Sequence, residues 1–574
     1  MSYSFFSRTK ILSFCVLIFV LILIFKLFLV QIVHRNFYSE QADHQYSTPV
    51  SDIFERGTIF LKSKDGQLVS GATQANGFKI AINPNTIIDA ENVFQKLSVI
   101  VALDHDQFIA ESGKKSDPYV EIFHHLSKVE ADAVSALKIP GVYIYKEKWR
   151  FYPGNNLASH TLGFLGYNGN ELAGRYGLER QYNNVLSATE NNIYVNFFAE
   201  VFSDIKKTLS TTEVKGGDLV TTIEPNVQNF LETKLEEVKG KYNADSIGGI
   251  IMNPKDGSIY AMSVKPDFDL NNFSKVTDAS IFSDPLVENV LEFGSVVKPL
   301  VMAAALDAGV VTPETTYNDK GVVTINKKQI YNFDKKGRGP GTTMQDVLTQ
   351  SLNTGMVFVY QHLGKQKMHD YLLSYGIKDK TGIDLPNDTS GLVSNLTANL
   401  NNSRDIEYAN AAFGQGIAMT PVEMIRALAS LSNGGNLVVP HVVSAIKYSD
   451  GTEKEMTYPT SRVKISEKTS EEITNMMVTV MDKSFDKNSP GIERYSIAVK
   501  TGTAQVANNI TGGYYEDRHT HSFVGFFPAY DPQFIIFLYA KNPQGIQYAS
   551  QTWANPFLDI AKFLINYYSI PPDR

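Results

Sequence analysis

Apolar and polar positions follow two different periods in the C-terminal half of the chain. Residues 219–223 and 246–252 are mostly apolar or β-branched runs bounded by turn residues, which is typical of strands. A turn signal at 253–257 joins the second run to the apolar stretch 259–262, so the pattern predicts a β-hairpin. Between the two runs, residues 227–238 carry apolar side chains at about every third or fourth place, which predicts a helix.

The pattern in the rest of the C-terminal half predicts a series of helices with strands before and after it in the sequence. Helical patterns dominate from about 295 to 435. Strands at both ends of a region with helices between them predict a mixed α/β domain whose sheet joins distant parts of the chain. Upstream, residues 34–215 form a mixed, irregular segment in which short β-like runs alternate with polar helical stretches and glycine-rich turns. The later elements of the C-terminal half are strands near 496–506, 521–527 and 534–540 and a final helix near 555–567.

An apolar run near the N-terminus is long enough to cross a bilayer. Residues 11–30 contain few polar side chains, and about 20 residues span the hydrocarbon core as a helix. Arg8 and Lys10 precede the run, which places the N-terminus in the cytoplasm by the positive-inside rule. The residues after the run are bulky, so an uncleaved anchor is favoured over a cleaved signal peptide. We therefore expect a single-pass protein of the cytoplasmic (inner) membrane, with residues 34–574 on the periplasmic or extracellular side.

Length, charge and cysteine content narrow the possibilities. A chain of 574 residues is long enough for two or three domains, and a turn signal at 215–218 suggests the boundaries 1–33, 34–215 and 216–574. The net charge of -7 provides no basic field, so no nucleic-acid partner is expected. The single cysteine, Cys15, lies in the apolar run. No disulfide can form within the chain, and thiol nucleophiles and cysteine-rich metal sites are excluded.

Ser295 and Lys298 stand out among several Ser-x-x-Lys pairs. Gly294 permits a sharp entry turn, and a largely apolar helix is predicted after Pro299. Ser295 would then start a helix, with Lys298 one turn further on the same face. A serine hydroxyl needs a base within hydrogen-bond reach to act as a nucleophile, and this lysine is well spaced to be that base. Taken alone, an N-cap serine beside a surface lysine is the simpler interpretation.

Two further elements follow in the order that a known class of serine acyltransferases requires. Ser351-Leu352-Asn353 supplies a hydroxyl and an amide at the start of another apolar helix, although a helix cap explains it when it is taken alone. Lys500-Thr501-Gly502-Thr503 lies in a strand pattern, where Gly502 would let a ligand backbone approach closely. A similar triplet at 380–382 lies in a loop pattern, so the later motif is chosen.

With these motifs the chain resembles a class B penicillin-binding protein, a monofunctional D,D-transpeptidase, over nearly its whole length. The division-type branch is favoured over the elongation-type branch. Phe293 stands where the family usually has proline, and residues 61–66 replace a common Asp-Arg-Asn-Gly. Both departures weaken the subfamily assignment more than the catalytic assignment. Other stretches that carry the resemblance are Arg56-Gly57-Thr58-Ile59, 150–154, Gly177-Leu178-Glu179 with Tyr182, 253–262, and Gly414-Gln415-Gly416 with Thr420-Pro421.

The resemblance implies a multi-domain α+β protein. An N-terminal transmembrane helix would be followed by an irregular mixed pedestal of the dimerisation type over 34–215. A C-terminal α/β transpeptidase domain of the β-lactamase and penicillin-binding type would follow over 216–574, with a central antiparallel sheet flanked by helices. Its substrate would be a peptidoglycan stem peptide ending in D-Ala-D-Ala. Ser295 would attack the penultimate carbonyl, release D-Ala and form an acyl-enzyme that an amine then accepts.

By the same resemblance each motif residue has an expected role. Lys298, kept neutral by burial and by the nearby cation of Lys500, would take the proton of Ser295. Ser351 would relay a proton to the leaving group, and Asn353 would orient the lysine and the substrate amide. No metal or cofactor is expected. Backbone N–H groups of Ser295 and Thr503 would form the oxyanion hole, and the terminal carboxylate would be held by Lys500, Thr501 and Thr503, with Gly502 among the substrate-binding residues.

The expected partners follow from the same assignment. β-Lactams would acylate the protein, and a membrane glycosyltransferase of the shape, elongation, division and sporulation family would supply the polymerase activity for which this chain has no domain. Its contact would use the anchor and the region of Arg56. A membrane-anchored β-lactamase or D,D-carboxypeptidase, and a non-catalytic penicillin-recognising scaffold or sensor, remain alternatives. The complete catalytic set argues against a scaffold, and the large pedestal argues against a simple hydrolase.

Overall fold

A computed structural model describes residues 56–168, 171–187, 216–397, 404–485, 491–508 and 512–574, together with 17–20, 23 and 26. Most of the predicted anchor at 11–30 lies outside the described residues, as do the domain boundaries predicted at 33 and 215. Among the residues that are described, no helix is both long and apolar enough to span a bilayer.

The strands are distributed over the whole described chain. They are β1 Ile59–Lys62, β2 Leu68–Ile82, β3 Val120–Leu126, β4 Val142–Phe151, β5 Leu165–Asn168, β6 Glu171–Gly174, β7 Gly217–Thr221, β8 Ser246–Met252, β9 Ile259–Lys265, β10 Thr316–Asp319, β11 Val322–Ile325, β12 Lys328–Tyr331, β13 Gly339–Thr343, β14 Asn436–Leu437, β15 Val443–Tyr448, β16 Glu453–Glu455, β17 Ser461–Arg462, β18 Ala498–Ala507, β19 Tyr514–Phe527 and β20 Phe534–Lys541.

The α-helices are concentrated between β9 and β18. They are α1 Ala90–Ser98, α2 His105–Ser112, α3 Lys128–Ala136, α4 Ser159–Leu162, α5 Gly177–Gln181, α6 Asn183–Ser187, α7 Pro225–Tyr242, α8 Pro285–Glu288, α9 Lys298–Asp307, α10 Met344–Thr349, α11 Asn353–Leu363, α12 Lys365–Ser374, α13 Ser394–Thr397, α14 Asp405–Ala411, α15 Pro421–Ser432, α16 Glu467–Ser484 and α17 Ala549–Tyr568.

The described chain divides into two compact units. One comprises residues 74–149, and the other comprises 56–73 together with 150–574. In the smaller unit, β2 pairs antiparallel with β3, and helices α1, α2 and α3 contribute to a separate apolar core that includes Ile80, Leu97 and Val134. Helix α3 begins at a capping box in which Ser127 and Glu130 satisfy each other's free backbone N–H groups.

A five-stranded antiparallel sheet organises the larger unit. Its order is β18-β19-β20-β8-β9, so the predicted hairpin of β8 and β9 joins three strands that lie more than 200 residues further along the chain. Strand β20 is buried at every position except the last, which requires packing on both faces of the sheet. Helices α7 and α17 contact the sheet and each other, with Phe230 stacked on Phe563. The predicted mixed α/β domain with a central antiparallel sheet is therefore confirmed.

One region differs from the sequence prediction. Residues 316–343, within the stretch where helical patterns dominate, form two small antiparallel pairs, β10 with β13 and β11 with β12. Tight turns separate these strands, and Asn326, Lys327 and Lys335 adopt positive φ angles in them. The strands are only four or five residues long, which is too short for alternation to be visible against the helical background.

Three stretches that carry the family resemblance converge on one buried carboxylate in the larger unit. Glu179 is fully buried; its Oε2 accepts from Arg56 Nε at 2.6 Å and its Oε1 accepts from Arg150 Nε at 2.6 Å. Tyr152 donates its hydroxyl to Oε1 at 3.3 Å. Arg56 is only 7% exposed, so its side chain serves this cluster. The partner contact predicted for the anchor and the pedestal near Arg56 stays a prediction.

Replacing Glu179 by glutamine should destabilise the protein strongly. The change leaves two buried arginines without their counter-charge, and breaking a buried ion pair in this way costs about 3–5 kcal/mol. Urea unfolding should show a correspondingly lower midpoint. Glu237→Gln is the matched control, because Glu237 pairs with Lys234 at a largely exposed site and should cost less than about 1 kcal/mol. Equal midpoints for the two variants would contradict the proposed importance of the cluster.

Candidate active site

Ser295 lies on a tight turn at the mouth of a cleft. A 3-10 turn, Gly294–Val297, leads directly into the buried helix α9. Gly294 has φ of 65°, a conformation that favours glycine, and its N–H donates to Gly414 O at 3.2 Å. A Cβ on Gly414 would lie 2.0 Å from Gly294 O, so glycine at both positions lets the two segments meet. Ser295 is half-buried and lines a cleft of about 790 Å³.

Lys298 begins helix α9, and its side chain is completely buried. Its Nζ donates to Ser351 O at 2.6 Å and to Asn353 Oδ1 at 2.8 Å, and it lies 3.2 Å from Ser351 Oγ. The sequence motif Ser351-Leu352-Asn353 is thus brought onto the lysine of the first motif. These contacts exclude the interpretation of Lys298 as a surface cation, because a buried lysine is costly unless its polar head is satisfied.

Ser351 joins all three motifs. Its φ is 54°, a left-handed conformation that is uncommon for a non-glycine residue and often marks a functional site. Lys500 on β18 donates from Nζ to Ser351 Oγ at 3.0 Å and to Thr501 O at 2.9 Å. One hydroxyl therefore lies within hydrogen-bond distance of two lysine amines.

Burial changes the protonation of both lysines. Lys298 has its pKa lowered well below the ordinary value of 10.5 because burial penalises the charged form and because the cation of Lys500 lies nearby. Burial alone lowers the pKa of Lys500 to about 7. Two neighbouring amines cannot both remain charged at low cost, so a neutral amine is accessible at this site near neutral pH.

The hydrogen-bond partners of Lys298 suit a neutral amine. Two of its contacts, Ser351 O and Asn353 Oδ1, are carbonyl oxygens that can only accept. These two oxygens use both N–H groups of a neutral amine and leave its lone pair for a hydroxyl. Asn353 is held in this orientation because its Nδ2 donates to Tyr331 O at 2.9 Å, which keeps Oδ1 for the lysine.

The motif Lys500-Thr501-Gly502-Thr503 lies on strand β18, as its pattern predicted, and its residues differ in their surroundings. Thr501 and Thr503 line the cleft, and Thr503 Oγ1 accepts from Ala549 N at 3.2 Å at the start of α17. Gly502 has a packing constraint of its own, because a Cβ there would lie 2.3 Å from Phe293 O and 2.4 Å from Ser522 Oγ. Its lack of a side chain lets β18 approach the turn that carries Ser295. The triplet at 380–382, by contrast, lies outside any strand.

A buried polar cluster that no sequence pattern predicted lies beneath the second motif. Asp319 is 1% exposed, and its Oδ1 accepts from Thr354 Oγ1 at 2.8 Å while its Oδ2 accepts from Asn332 Nδ2 at 2.9 Å. Asn332 Oδ1 in turn accepts from Thr354 N at 3.2 Å. The cluster ties the segment 316–343 to the start of α11, next to Asn353. Its members are 13 and 22 residues apart in the sequence, so no local pattern signals the cluster.

The cleft contains no carboxylate among its described lining residues. Its titratable side chains are Lys335, Arg338, Lys500 and His519, together with the hydroxyls of Tyr331 and Tyr548. Glu407, three residues before Asn410 of the cleft lining, pairs with Arg404 at the start of α14. Phe333 and Tyr548, which also line the cleft, place their rings 5.8 Å apart.

The site thus combines a serine, two buried lysines and a Ser-x-Asn segment that bridges them. The chain also matches a known protein family. Residues 247–562 match the penicillin binding protein transpeptidase domain, and residues 54–222 match the penicillin-binding protein dimerisation domain. The chain belongs to the penicillin-binding protein transpeptidase family. The combination of a dimerisation domain with a transpeptidase domain makes it a class B member, as its motifs predicted.

Named relatives match over most of their length. The chain is 29% identical to stage V sporulation protein D of Bacillus subtilis over 513 residues, which is 88% of this chain and 77% of the relative. It is 26% identical to the peptidoglycan D,D-transpeptidase FtsI of Buchnera aphidicola from Baizongia pistaciae, with 87% of each chain covered.

Solved structures show the same fold. The chain aligns with a crystal structure of penicillin binding protein 3 from Mycobacterium tuberculosis complexed with aztreonam with a TM-score of 0.67 and 21% identity, covering 91% of this chain and 97% of that one. It aligns with penicillin binding protein 2X from Streptococcus thermophilus with a TM-score of 0.70 and 22% identity, covering 90% and 79%. The architecture is therefore the two-domain, mixed α/β fold of these proteins.

Proposed function

We propose that this protein is a serine-type peptidoglycan D,D-transpeptidase and a target of β-lactams. The observation that carries the proposal is the hydrogen-bonded group of Lys298, Ser351, Asn353 and Lys500 beside Ser295 in an open cleft. The family membership and the names of the relatives agree with it. The substrate is a stem peptide ending in D-Ala-D-Ala, and the acceptor is an amine of a neighbouring stem.

In the acylation step, Ser295 Oγ forms a bond to the penultimate carbonyl carbon while its proton passes to the neutral amine of Lys298. The carbonyl carbon becomes tetrahedral, and the backbone N–H groups of Ser295 and Thr503 stabilise its oxyanion, an effect of about 3–4 kcal/mol per donor. The amide C–N bond then breaks. Ser351, placed between the two lysines, donates its hydroxyl proton to the departing nitrogen and regains a proton from protonated Lys298, so D-Ala leaves with a neutral amino group.

Deacylation reverses this sequence with a different amine. The acceptor nitrogen forms a bond to the ester carbonyl carbon and loses a proton to Lys298. The bond between that carbon and Ser295 Oγ then breaks, and the proton passes from Lys298 to Oγ, which restores the hydroxyl. During acylation, Lys500, Thr501 and Thr503 hold the terminal carboxylate of the donor until D-Ala departs. Gly502 contributes by keeping this strand close to the turn of Ser295.

The test of the function is a two-product assay. Purified protein is mixed with a D-Ala-D-Ala donor peptide and an amine acceptor, and both free D-Ala and the cross-linked peptide are quantified. We expect the cross-linked product to equal a large part of the D-Ala released, and neither product from Ser295→Ala. Release of D-Ala with hydrolysis alone would support the carboxypeptidase alternative, and no release would support the scaffold alternative.

Acylation by a β-lactam should show a bell-shaped dependence on pH. The rate constant for reaction of free enzyme rises as Lys298 loses its proton and falls as Lys500 loses the charge that binds a carboxylate. Because both pKa values are lowered, the falling limb should lie well below 10.5 and near the Lys500 value of about 7. Lys500→Arg should remove the falling limb, since guanidinium does not deprotonate in this range. A falling limb that persists in Lys500→Arg would contradict the assignment.

The acyl-enzyme formed with a β-lactam should be long-lived. Fast hydrolysis needs a base that activates water, and the described lining of the cleft offers no carboxylate for this purpose. After free drug is removed, the Ser295 adduct should decay with a half-life of minutes or longer. Ser351→Ala provides a comparison, because it alters the proton relay without adding a water-activating group. Several turnovers per second in the wild type would instead indicate a β-lactamase.

We also propose the division-type role, a membrane anchor and a membrane glycosyltransferase partner of the shape, elongation, division and sporulation family. The apolar run at 11–30 supports the anchor, and the names of several relatives support the division role. The partner contact would use the anchor and the pedestal near Arg56. Exchange of residues 11–30 for an unrelated spanning helix should reduce co-purification of the partner. Undiminished co-purification would contradict this contact, and cell rounding instead of filamentation on depletion would contradict the division role.

A further inference from the structure

The segment 316–343 gives one side of the cleft an unusual charge. It carries Lys320, Lys327, Lys328, Lys335, Lys336 and Arg338 against only Asp319 and Asp334, in a chain whose net charge is -7. The five lysines are exposed, whereas Asp319 is buried within the polar cluster already described. The basic charge of the segment is therefore directed to solvent and to any ligand that enters the cleft.

Two of these cations line the cleft itself. Lys335 and Arg338 share the lining with Ser295 and Lys500, and no carboxylate lies among the described lining residues. Lys500 is already assigned to the terminal carboxylate of the donor. A cleft with further cations and no described acidic side chain favours a ligand that carries a second negative charge.

Arg338 is held in place before any ligand binds. Its Nε donates to Gln350 Oε1 at 2.9 Å, and its Nη1 donates to Asp334 Oδ1 at 3.0 Å and to Lys336 O at 2.7 Å. Among the described residues, Nη2 has no hydrogen-bond partner. Because the guanidinium is already oriented, little side-chain entropy is lost when a carboxylate binds to the remaining N–H groups.

Lys335 supplies the net charge that Arg338 lacks. Asp334 offsets the charge of Arg338 through their ion pair, but Lys335 is exposed and its Nζ lies 5.9 Å from the centre of the Tyr331 ring, within the same cleft. Gln350, which anchors Arg338, directly precedes Ser351. A ligand bound by Arg338 would therefore lie close to Ser351, the residue that bridges the two catalytic lysines.

We propose that Arg338 and Lys335 form a second carboxylate subsite for stem peptides. The subsite would bind a carboxylate other than the C-terminal one, so that the protein distinguishes stems with a free additional carboxylate from stems in which that group is amidated. The inference rests on the proposed transpeptidase function. The carboxylate can come from the donor stem or from the acceptor stem, since both must enter the cleft.

The donor arm of the experiment measures binding and needs no turnover. Two peptides that end in D-Ala-D-Ala, one with a free side-chain carboxylate and one with the corresponding amide, are titrated into the Ser295→Ala chain by calorimetry. Charge-assisted hydrogen bonds predict about tenfold tighter binding of the carboxylate peptide. Adding Lys335→Gln or Arg338→Lys should remove most of this preference. Lys328→Gln is the matched control, because Lys328 is an exposed lysine of the same segment outside the cleft lining.

The acceptor arm uses the chain with Ser295 intact. It measures what fraction of the acyl-enzyme reacts with an amine acceptor and what fraction reacts with water. The carboxylate and amide forms of the acceptor are compared. A preference in this arm alone would assign the subsite to the acceptor, and a preference in the donor arm alone would assign it to the donor. Equal behaviour of both forms in both arms, or a preference that survives both variants, would overturn the proposal. Absence of D-Ala release from the wild type would contradict the proposed function instead, while the donor arm would still test the subsite.

Discussion

Replacing Lys298 by arginine should slow the acylation of Ser295 by a β-lactam by a factor of about 10²–10⁴, the range that general-base catalysis contributes. Lys298 makes contacts that suit a neutral amine, and burial together with Lys500 holds its pKa well below 10.5. Arginine keeps a positive charge but cannot supply a free amine at neutral pH. Stopped-flow measurement of acylation with a chromogenic β-lactam would give the rate constants.

The controls separate loss of the base from loss of the fold. Lys483→Arg makes the same replacement on exposed helix surface and should leave the rate unchanged. Since the larger guanidinium must fit a completely buried position, Lys298→Ala is measured as well, with and without a small primary amine that can diffuse into the cavity. Partial rescue by the amine is expected. Acylation of Lys298→Arg within tenfold of the wild-type rate would rule out Lys298 as the base.

Replacing Ser295 by alanine should abolish both D-Ala release and β-lactam labelling, because no other nucleophile takes its place in the proposed reaction. The change removes a single oxygen at a half-buried position on the cleft wall, so the fold and the binding of peptide should persist. Calorimetric binding of a D-Ala-D-Ala peptide to the variant checks that the cleft remains intact. Turnover above one thousandth of the wild-type rate would require a different nucleophile.

The candidate site was predictable from three motifs in the required order, although each motif is weak when taken alone. Ser295 and Lys298 are separated by one helical turn, and Lys500 lies in an apolar strand whose partners follow directly in the chain. The predicted structural context distinguished these motifs from chance occurrences of the same residues. The triplet at 380–382 was rejected because its pattern predicts a loop, and in the structure it lies outside any strand. The hairpin of β8 and β9 was predictable for the same reason, since a turn joins two adjacent apolar runs.

The surroundings of the site were not predictable, because they depend on contacts between distant residues. Asp319, Asn332 and Thr354 form one buried cluster although 35 residues separate the first from the last. Likewise, the fixed orientation of Arg338 depends on Gln350, and nothing in the local pattern indicates that contact. Short strands such as β11 are stabilised mainly by pairing and packing, so their hydrophobic pattern alone does not distinguish them from the neighbouring helices.

Intact-mass analysis after exposure to a β-lactam tests the central claim most directly. The account predicts that the wild-type protein gains the mass of one drug molecule, that the adduct maps to the peptide containing Ser295, and that Ser295→Ala gains none. Ser351→Ala should acquire its adduct more slowly and at the same serine. An unmodified wild-type protein, an adduct on another serine, or an adduct that persists in Ser295→Ala would contradict the assignment of Ser295 as the nucleophile.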